Sequence, residues 1–157
     1  MSIQETPQQF VEQTSCTEVI TYNEHKNKQV VLIDCGIKHS LLRSLLDRDF
    51  CIHRVPYNYD VTNIKYDGII ISNGPGDPNQ YQSTINNVRK ALPQKKPIYG
   101  FGLGHQILSL VSGGKVKRME LGHHNNSVPV RENKTNNCFI SSQHHNFIVD
   151  NSELPDG

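Results

Sequence analysis

Residues 96–108, KPIYGFGLGHQIL, have the composition of a corner that presents a catalytic nucleophile. An apolar run leads into closely spaced glycines, and the residues that follow have the apolar spacing of a helix. A sharp strand-to-helix turn of this kind raises the side chain at its tip above a sheet, where it can attack a substrate carbonyl. The residue at the tip is Gly102. The pattern therefore predicts a nucleophile elbow without a nucleophile.

A second glycine-rich loop, SNGPGDP at residues 72–78, follows another apolar run. In a parallel sheet, ligands bind beyond the carboxyl ends of the strands, so both loops are expected to border one cleft. Glycines at such corners allow unusual backbone dihedrals and let bare N–H groups face a ligand. For one such loop alone a tight turn is a sufficient explanation, but two on adjacent strand ends favour a binding cleft.

The elements that must position these loops alternate along the chain. The pattern predicts strands at residues 28–36, 50–56, 67–72 and 96–101, and helices at 37–49, 80–92 and 103–114. Parallel neighbouring strands need crossover connections, which this alternation supplies. The predicted fold class is α/β, a parallel sheet with helices on both faces.

The two ends of the chain have different patterns. Residues 1–27 are polar and rich in turn residues, so an N-terminal arm or linker is predicted there, with no packed element, ahead of one domain at 28–157. After Lys115, three shorter strand-like pieces at 115–121, 127–132 and 138–143 are expected to form a meander at the edge of the sheet.

Composition excludes several classes of function. With 157 residues, a formal net charge of +1 and 20% charged residues, the chain is one domain by length and has no excess of basic residues to bind nucleic acid. No apolar stretch approaches the ~20 residues that span a bilayer, and the N-terminus is polar. A soluble, cytoplasmic chain without a membrane or nucleic-acid partner is expected.

The four cysteines, Cys16, Cys35, Cys51 and Cys138, are scattered without a CxxC pair, which indicates reduced, structural thiols rather than disulfides or a zinc site. Cys35 ends the first predicted strand on the cleft side. Its place in an apolar run favours packing over a role as substitute nucleophile.

Five histidines raise the alternative of a metal cluster: His105, His123, His124, His144 and His145. Neighbouring residues on a strand point to opposite faces, so neither adjacent pair supplies two ligands easily. His105 is expected to be a hydrogen-bonded structural residue at the helix start. The GFGLG segment lacks the spacing and location of a dinucleotide-binding loop. No metal or cofactor is predicted.

The order and spacing of SNGPGDP, GFGLGHQILSLVSGG and SSQHHNFIVD resemble the class I glutamine amidotransferases. DCGIKHSLLRSLLDRDF further resembles the branch found in the small subunit of carbamoyl-phosphate synthetase and in the fused pyrimidine-synthesis protein of animals. The resemblance spans about residues 10–157. It implies a flavodoxin-like α/β fold.

The resemblance also implies a mechanism. In the family, a cysteine at the elbow attacks the side-chain amide of glutamine and forms a glutamyl thioester, and the released ammonia passes to a synthetase subunit. A histidine and a glutamate assist. By resemblance, the backbone N–H groups of Gly74 and Leu103 would hold the oxyanion. Gln106 and Phe147 would contribute to the glutamine site.

The chain departs from this pattern at the position of the nucleophile. Gly102 replaces the cysteine, so the family's thioester cannot form, and no catalytic residue is assigned. His144 and Asn146 stand where the family has an asparagine and a glycine that contact glutamine. His145 is outside the family's catalytic His-Pro-Glu motif, which does not occur in the 157 residues. A partial, truncated domain that does not hydrolyse glutamine is predicted.

Two functions remain open. The chain is either a glutaminase-type domain of carbamoyl-phosphate synthetase, of the arginine or the pyrimidine branch, or a pseudo-glutaminase that serves as a docking or regulatory module. The large subunit or synthetase domain of carbamoyl-phosphate synthetase is the expected partner, and glutamine the expected ligand if the cleft is retained. A deliberately introduced Gly102 would not explain the changes at His144 and Asn146. An incomplete sheet would leave an edge strand able to pair with another chain.

Overall fold

Five strands form one sheet, and a long two-stranded hairpin follows it. The computed structural model describes residues 7–150. In chain order the helices and strands are α1 (Pro7–Thr14), β1 (Ile20–Tyr22), β2 (Gln29–Asp34), α2 (His39–Leu46), β3 (Cys51–Pro56), β4 (Gly68–Ile71), α3 (Gln82–Ala91), β5 (Ile98–Gly100), α4 (Leu103–Val111), β6 (Lys115–Arg131) and β7 (Cys138–Asp150).

The sheet has the strand order β1-β3-β2-β4-β5. Strands β3, β2, β4 and β5 are parallel, and β1 pairs antiparallel with β3. The strand order reverses at β2, as in the flavodoxin-like arrangement, and ligand clefts form at such a reversal. The predicted α/β class and its parallel sheet are confirmed.

The core lies on both faces of the sheet. Val31, Leu32 and Ile33 of β2 are all buried, which is why this strand has an uninterrupted apolar sequence. On one face, Leu42 and Leu45 of α2 pack in the same cluster as Leu32. On the other face, side chains of α3 and α4 pack together in one larger cluster, which includes Ile85, Val88, Ile107 and Val111.

The segment before residue 28 differs from its prediction. Within 1–27 the structure has α1 and β1, Val11 is buried, and β1 aligns Ile20 with Arg54 of β3. The strand has only three residues, all half-buried, so its sequence has no periodic signal, and its partner residues are 30 or more positions away. Residues 1–6 lie outside the described residues, and the domain boundary at 28 stays a prediction.

The C-terminal segment also differs, because the predicted meander at the sheet edge is wrong. Strands β6 and β7 form a separate antiparallel pair that is not part of the five-stranded sheet. The predicted piece at 115–121 and all but the last residue of the piece at 127–132 belong to the single strand β6. The polar segment between them stays in the ladder through irregularities at Arg118/His123 and Asn125/Val128.

Within residues 7–150, no helix is long and apolar enough to cross a membrane.

Candidate functional site

The turn between β5 and α4 has the geometry of a nucleophile elbow. Gly102 caps the N-terminus of α4 with φ 53° and ψ −110°, a conformation that residues with side chains adopt only at a cost. A Cβ built on Gly102 would find its nearest neighbour, the Asn73 Cβ, at 3.7 Å, which is ordinary contact. The elbow therefore has room for a side chain that the residue does not have.

The glycines around the elbow have no such room. A Cβ on Gly104 would lie 2.2 Å from the Ile71 carbonyl oxygen, and one on Gly100 would lie 2.4 Å from the Gly104 carbonyl. Both glycines allow α4 to approach the ends of β4 and β5 closely. The predicted corner is confirmed, and its glycines differ in role: Gly100 and Gly104 are required by packing, whereas Gly102 lies at the open tip.

The loop after β4 faces the elbow from the next strand end. A Cβ on Gly74 would lie 2.0 Å from the Cys35 carbonyl oxygen, so the loop runs against the end of β2. The Tyr81 hydroxyl donates to the Pro75 carbonyl at 2.7 Å, and the Cys35 N–H donates to Ser72 Oγ at 2.9 Å. Burial raises the pKa of the Tyr81 phenol, so it stays a donor.

Both predicted oxyanion donors lie at this cleft. Gly74 and Leu103 line one cavity of about 880 Å³. Within residues 7–150, the backbone N–H groups of Gly74 and Leu103 donate no hydrogen bond. Leu103 is the first residue of α4, whose opening N–H groups have no intrahelical partner and carry partial positive charge. Two neighbouring loops thus offer unpaired donors to an anionic oxygen.

The hairpin forms the other wall of the cleft. Residues 142–149 of β7 line the same cavity as the two glycine loops. The Gln106 Nε2 amide donates to the Phe147 carbonyl oxygen at 2.7 Å, which ties α4 to β7. The four residues predicted to bind substrate therefore lie around one cavity, and two of them are bonded to each other. Their role in binding glutamine stays a prediction.

The other candidate residues have distinct surroundings. Cys35 is fully buried, and burial together with the neighbouring Asp34 charge raises the pKa of its thiol well above the usual range, which leaves it unreactive. His105 lines the cavity but is exposed and, among the described residues, its side chain has no hydrogen-bond partner, so its predicted structural role is wrong.

Strand alternation was predicted correctly for the adjacent histidines. Along β7, His145 is half-buried and its neighbour His144 is exposed, so the two side chains lie on opposite faces. The pattern did not predict the partners across the ladder, where β7 aligns His145 with His123 and His144 with His124. Lys38, Asn73 and Gln143 also line the cavity without having been predicted; Asn73 and Gln143 lie within quoted motifs but were given no role, and Lys38 follows the first predicted strand.

Comparisons with known proteins agree with this geometry. The family described as glutamine amidotransferase class-I matches residues 31–157. The chain is 41% identical over 149 residues to a carbamoyl phosphate synthase small chain of Archaeoglobus fulgidus, covering 93% of this chain and 41% of that protein. It is 40% identical over 148 residues to the multifunctional protein CAD of Squalus acanthias, covering 93% of this chain and 7% of that protein.

A solved structure shows the fold independently of close sequence similarity. A Thermoplasma acidophilum protein, whose structure was solved as that of a GMP synthase subunit, superposes with a TM-score of 0.63 at 23% identity, covering 85% of this chain and 71% of that one. The chain spans less than half the length of either of these two relatives, and the family match covers most of the chain, residues 31–157. The chain belongs to the class-I glutamine amidotransferase family.

Proposed function

We propose that this chain is a non-hydrolysing amidotransferase domain of the carbamoyl-phosphate synthetase type, which holds glutamine in its cleft without forming a thioester. The observation on which the proposal rests is Gly102 at the tip of the elbow. The elbow has the strained backbone and the open space of a nucleophile site, yet Gly102 has no side chain. Covalent catalysis needs a nucleophilic atom at this point.

The rest of the cleft supports retained ligand binding. Gly74 and Leu103 provide unpaired N–H groups, and the Gln106–Phe147 bond holds the hairpin wall against α4. Cys35 does not substitute for the missing thiol, because its side chain is fully buried. The cleft therefore supports recognition of an amide or carboxylate rather than its cleavage.

A synthetase large chain is the proposed partner, since the relatives include small chains of carbamoyl phosphate synthase. In this proposal the domain docks on the synthetase and senses glutamine. The proposal covers both the arginine and the pyrimidine branch; one of the relatives is an arginine-specific small chain.

The first test measures ammonia released from glutamine by the purified chain, alone and with a synthetase large chain. We expect no release above the control without protein, because no thioester forms. Ammonia release by the unaltered chain, or a covalent adduct of a glutamine-analogue affinity label within residues 100–106, would contradict the proposal.

A second test uses the elbow as a reporter of glutamine binding. Gly102→Cys places a thiol where the cleft has room, and Gly113→Cys places one at a glycine with nothing within 4 Å of its Cβ position and outside the cavity lining. The affinity label should modify Gly102→Cys at least about tenfold faster, and excess glutamine should protect it. Equal labelling rates of the two variants would show that the cleft does not bind glutamine.

A further inference from the structure

The β6–β7 hairpin brings two histidines from opposite strands into contact with one glutamine. His123 and His145 are ladder partners, and their rings meet edge to face with centroids 5.0 Å apart. Nδ1 of His123 lies 3.3 Å from Nε2 of His145. The Gln143 Oε1 atom lies 2.6 Å from the former and 3.2 Å from the latter. Two ring nitrogens and one amide oxygen therefore lie within 3.3 Å of one another.

Hydrogen bonding decides the proton positions in this cluster. His145 Nδ1 lies 2.9 Å from the Phe147 carbonyl oxygen, which can only accept, so Nδ1 bears the proton and Nε2 has a free lone pair. His123 Nδ1 then lies between two acceptors, Gln143 Oε1 and that lone pair. His123 Nδ1 therefore donates to Gln143 Oε1, the nearer acceptor, and a metal ion could bind in place of this proton.

The spacing of the two ring nitrogens fits a divalent transition metal, whereas Gln143 Oε1, at 2.6 Å from His123 Nδ1, is too close for two ligand atoms of one ion and moves outward when the ion replaces the proton. Two nitrogens at about 2.0–2.1 Å from a tetrahedral zinc ion lie about 3.3–3.4 Å apart. The two ring nitrogens here are 3.3 Å apart. A histidine ligand characteristically donates its other ring N–H to a carbonyl or carboxylate, which orients the ring, and the bond from His145 to Phe147 does this.

We propose that His123, His145 and Gln143 form a binding site for a borderline divalent metal ion of the Zn²⁺, Co²⁺ or Ni²⁺ class. Imidazole nitrogens favour these ions over Mg²⁺ or Ca²⁺. The ion takes the place of the bridging proton, and His123 moves its proton from Nδ1 to Nε2 through solvent, so that both ligands are neutral. Gln143 and His145 line the cleft, so the remaining coordination positions are accessible to water.

The opposite face of the hairpin provides an internal control. His124 and His144 are also ladder partners, but their centroids are 6.4 Å apart. His124 Nε2 lies 2.8 Å from Asn146 Oδ1, and His144 Nε2 lies 2.8 Å from Asn126 Oδ1, so the two rings engage different amides and do not converge. Within residues 7–150, no three His, Cys, Asp or Glu side chains cluster as ligands. The third donor in the proposed site is therefore an amide oxygen.

The experiment titrates the untagged 157-residue chain with Co²⁺, followed by visible absorption, and then displaces the Co²⁺ with Zn²⁺. We expect one ion per chain, with affinity lowered at least about tenfold in His123→Ala and in His145→Ala. His144→Ala should bind as the unaltered chain does. Failure of the unaltered chain to bind one equivalent, or an equal loss in His144→Ala, would overturn the site.

A second measurement separates loss of ligands from loss of structure. Histidine ¹⁵N resonances of the unaltered chain should shift on Zn²⁺ addition at Nδ1 of His123 and Nε2 of His145, and at neither nitrogen of His124. Shifts confined to other histidines would overturn the assignment even if the Ala variants unfold. The measurement is made without glutamine, so its outcome does not depend on whether the cleft binds glutamine or on the elbow.

Discussion

The two walls of the cleft are built differently. The wall formed by the loops after β4 and β5 belongs to the sheet, whose central strand is buried from Val30 to Asp34. The hairpin wall at 115–150 contains no fully buried residue. Phe139 and Ile140 are 56% and 66% exposed there. Close packing restricts substitution in the first wall, and the second wall is free of this restriction.

This difference accounts for where the chain follows the family pattern. Gly74 and Gly104 cannot take a side chain without a clash against the backbone, and both motifs that contain them are retained. His144, at which the resemblance predicts a departure from the family pattern, is exposed on the hairpin. Gly102 lies in the packed wall, but packing does not restrict it either, because a Cβ at this position would point into open space. A glycine at the tip of the elbow is therefore compatible with an intact fold.

The largest expected effect is at the buried ion pair of the sheet. Asp34 is fully buried and accepts from the N–H groups of Gly36 and Ile37 at 2.9 Å and from Arg54 Nε at 2.8 Å. Asp34→Ala removes these acceptors and leaves the guanidinium without its partner. We expect the free energy of unfolding to fall by about 3–5 kcal/mol, measured by urea denaturation. A loss below about 1 kcal/mol would show that the packed wall does not depend on this cluster.

The same carboxylate gives a pH dependence with a defined sign. Burial alone would raise the pKa of Asp34, but the Ile37 and Gly36 N–H groups and Arg54 together lower it. Because the folded pKa lies below the unfolded value of about 3.9, the stabilisation is present above about pH 4 and is lost as pH falls through the folded pKa. The stability difference between the unaltered chain and Asp34→Ala should therefore shrink in acid. A difference that grows in acid would contradict this sign.

A smaller loss is expected where α4 approaches the sheet. Gly104→Ala places a methyl group 2.2 Å from the Ile71 carbonyl and forces the helix outward, at about 3 kcal/mol. Gly113→Ala is the matched control, because no atom lies within 4 Å, although its φ of +89° costs about 1 kcal/mol in strain. Chemical denaturation of both variants measures the difference. Equal losses would mean that the close approach to the Ile71 carbonyl does not restrict Gly104.

The contrast between the walls also explains what the sequence predicts. The strand at Gln29–Asp34 and the elbow at Gly102 have local signals, an apolar run and a glycine corner, and both were confirmed in the structure. The continuity of β6 through its polar segment depends on pairing with residues about 20 positions away. The meeting of His123 with His145 depends on the same register. Such contacts have no local periodicity, so a sequence pattern does not predict them.

The smallest effect is expected at an ion pair of the hairpin. Lys117 Nζ lies 3.0 Å from Asp150 Oδ2, but the lysine side chain is 58% exposed, compared with 19% for Arg54. Solvent screens the attraction, and ordering a lysine costs side-chain entropy, so Lys117→Ala should lower the free energy of unfolding by less than about 1 kcal/mol. The measurement is the same denaturation used for Asp34→Ala. A loss approaching that of Asp34→Ala would show that the hairpin wall is as tightly coupled to the fold as the sheet, and its divergence would then need a cause other than loose packing.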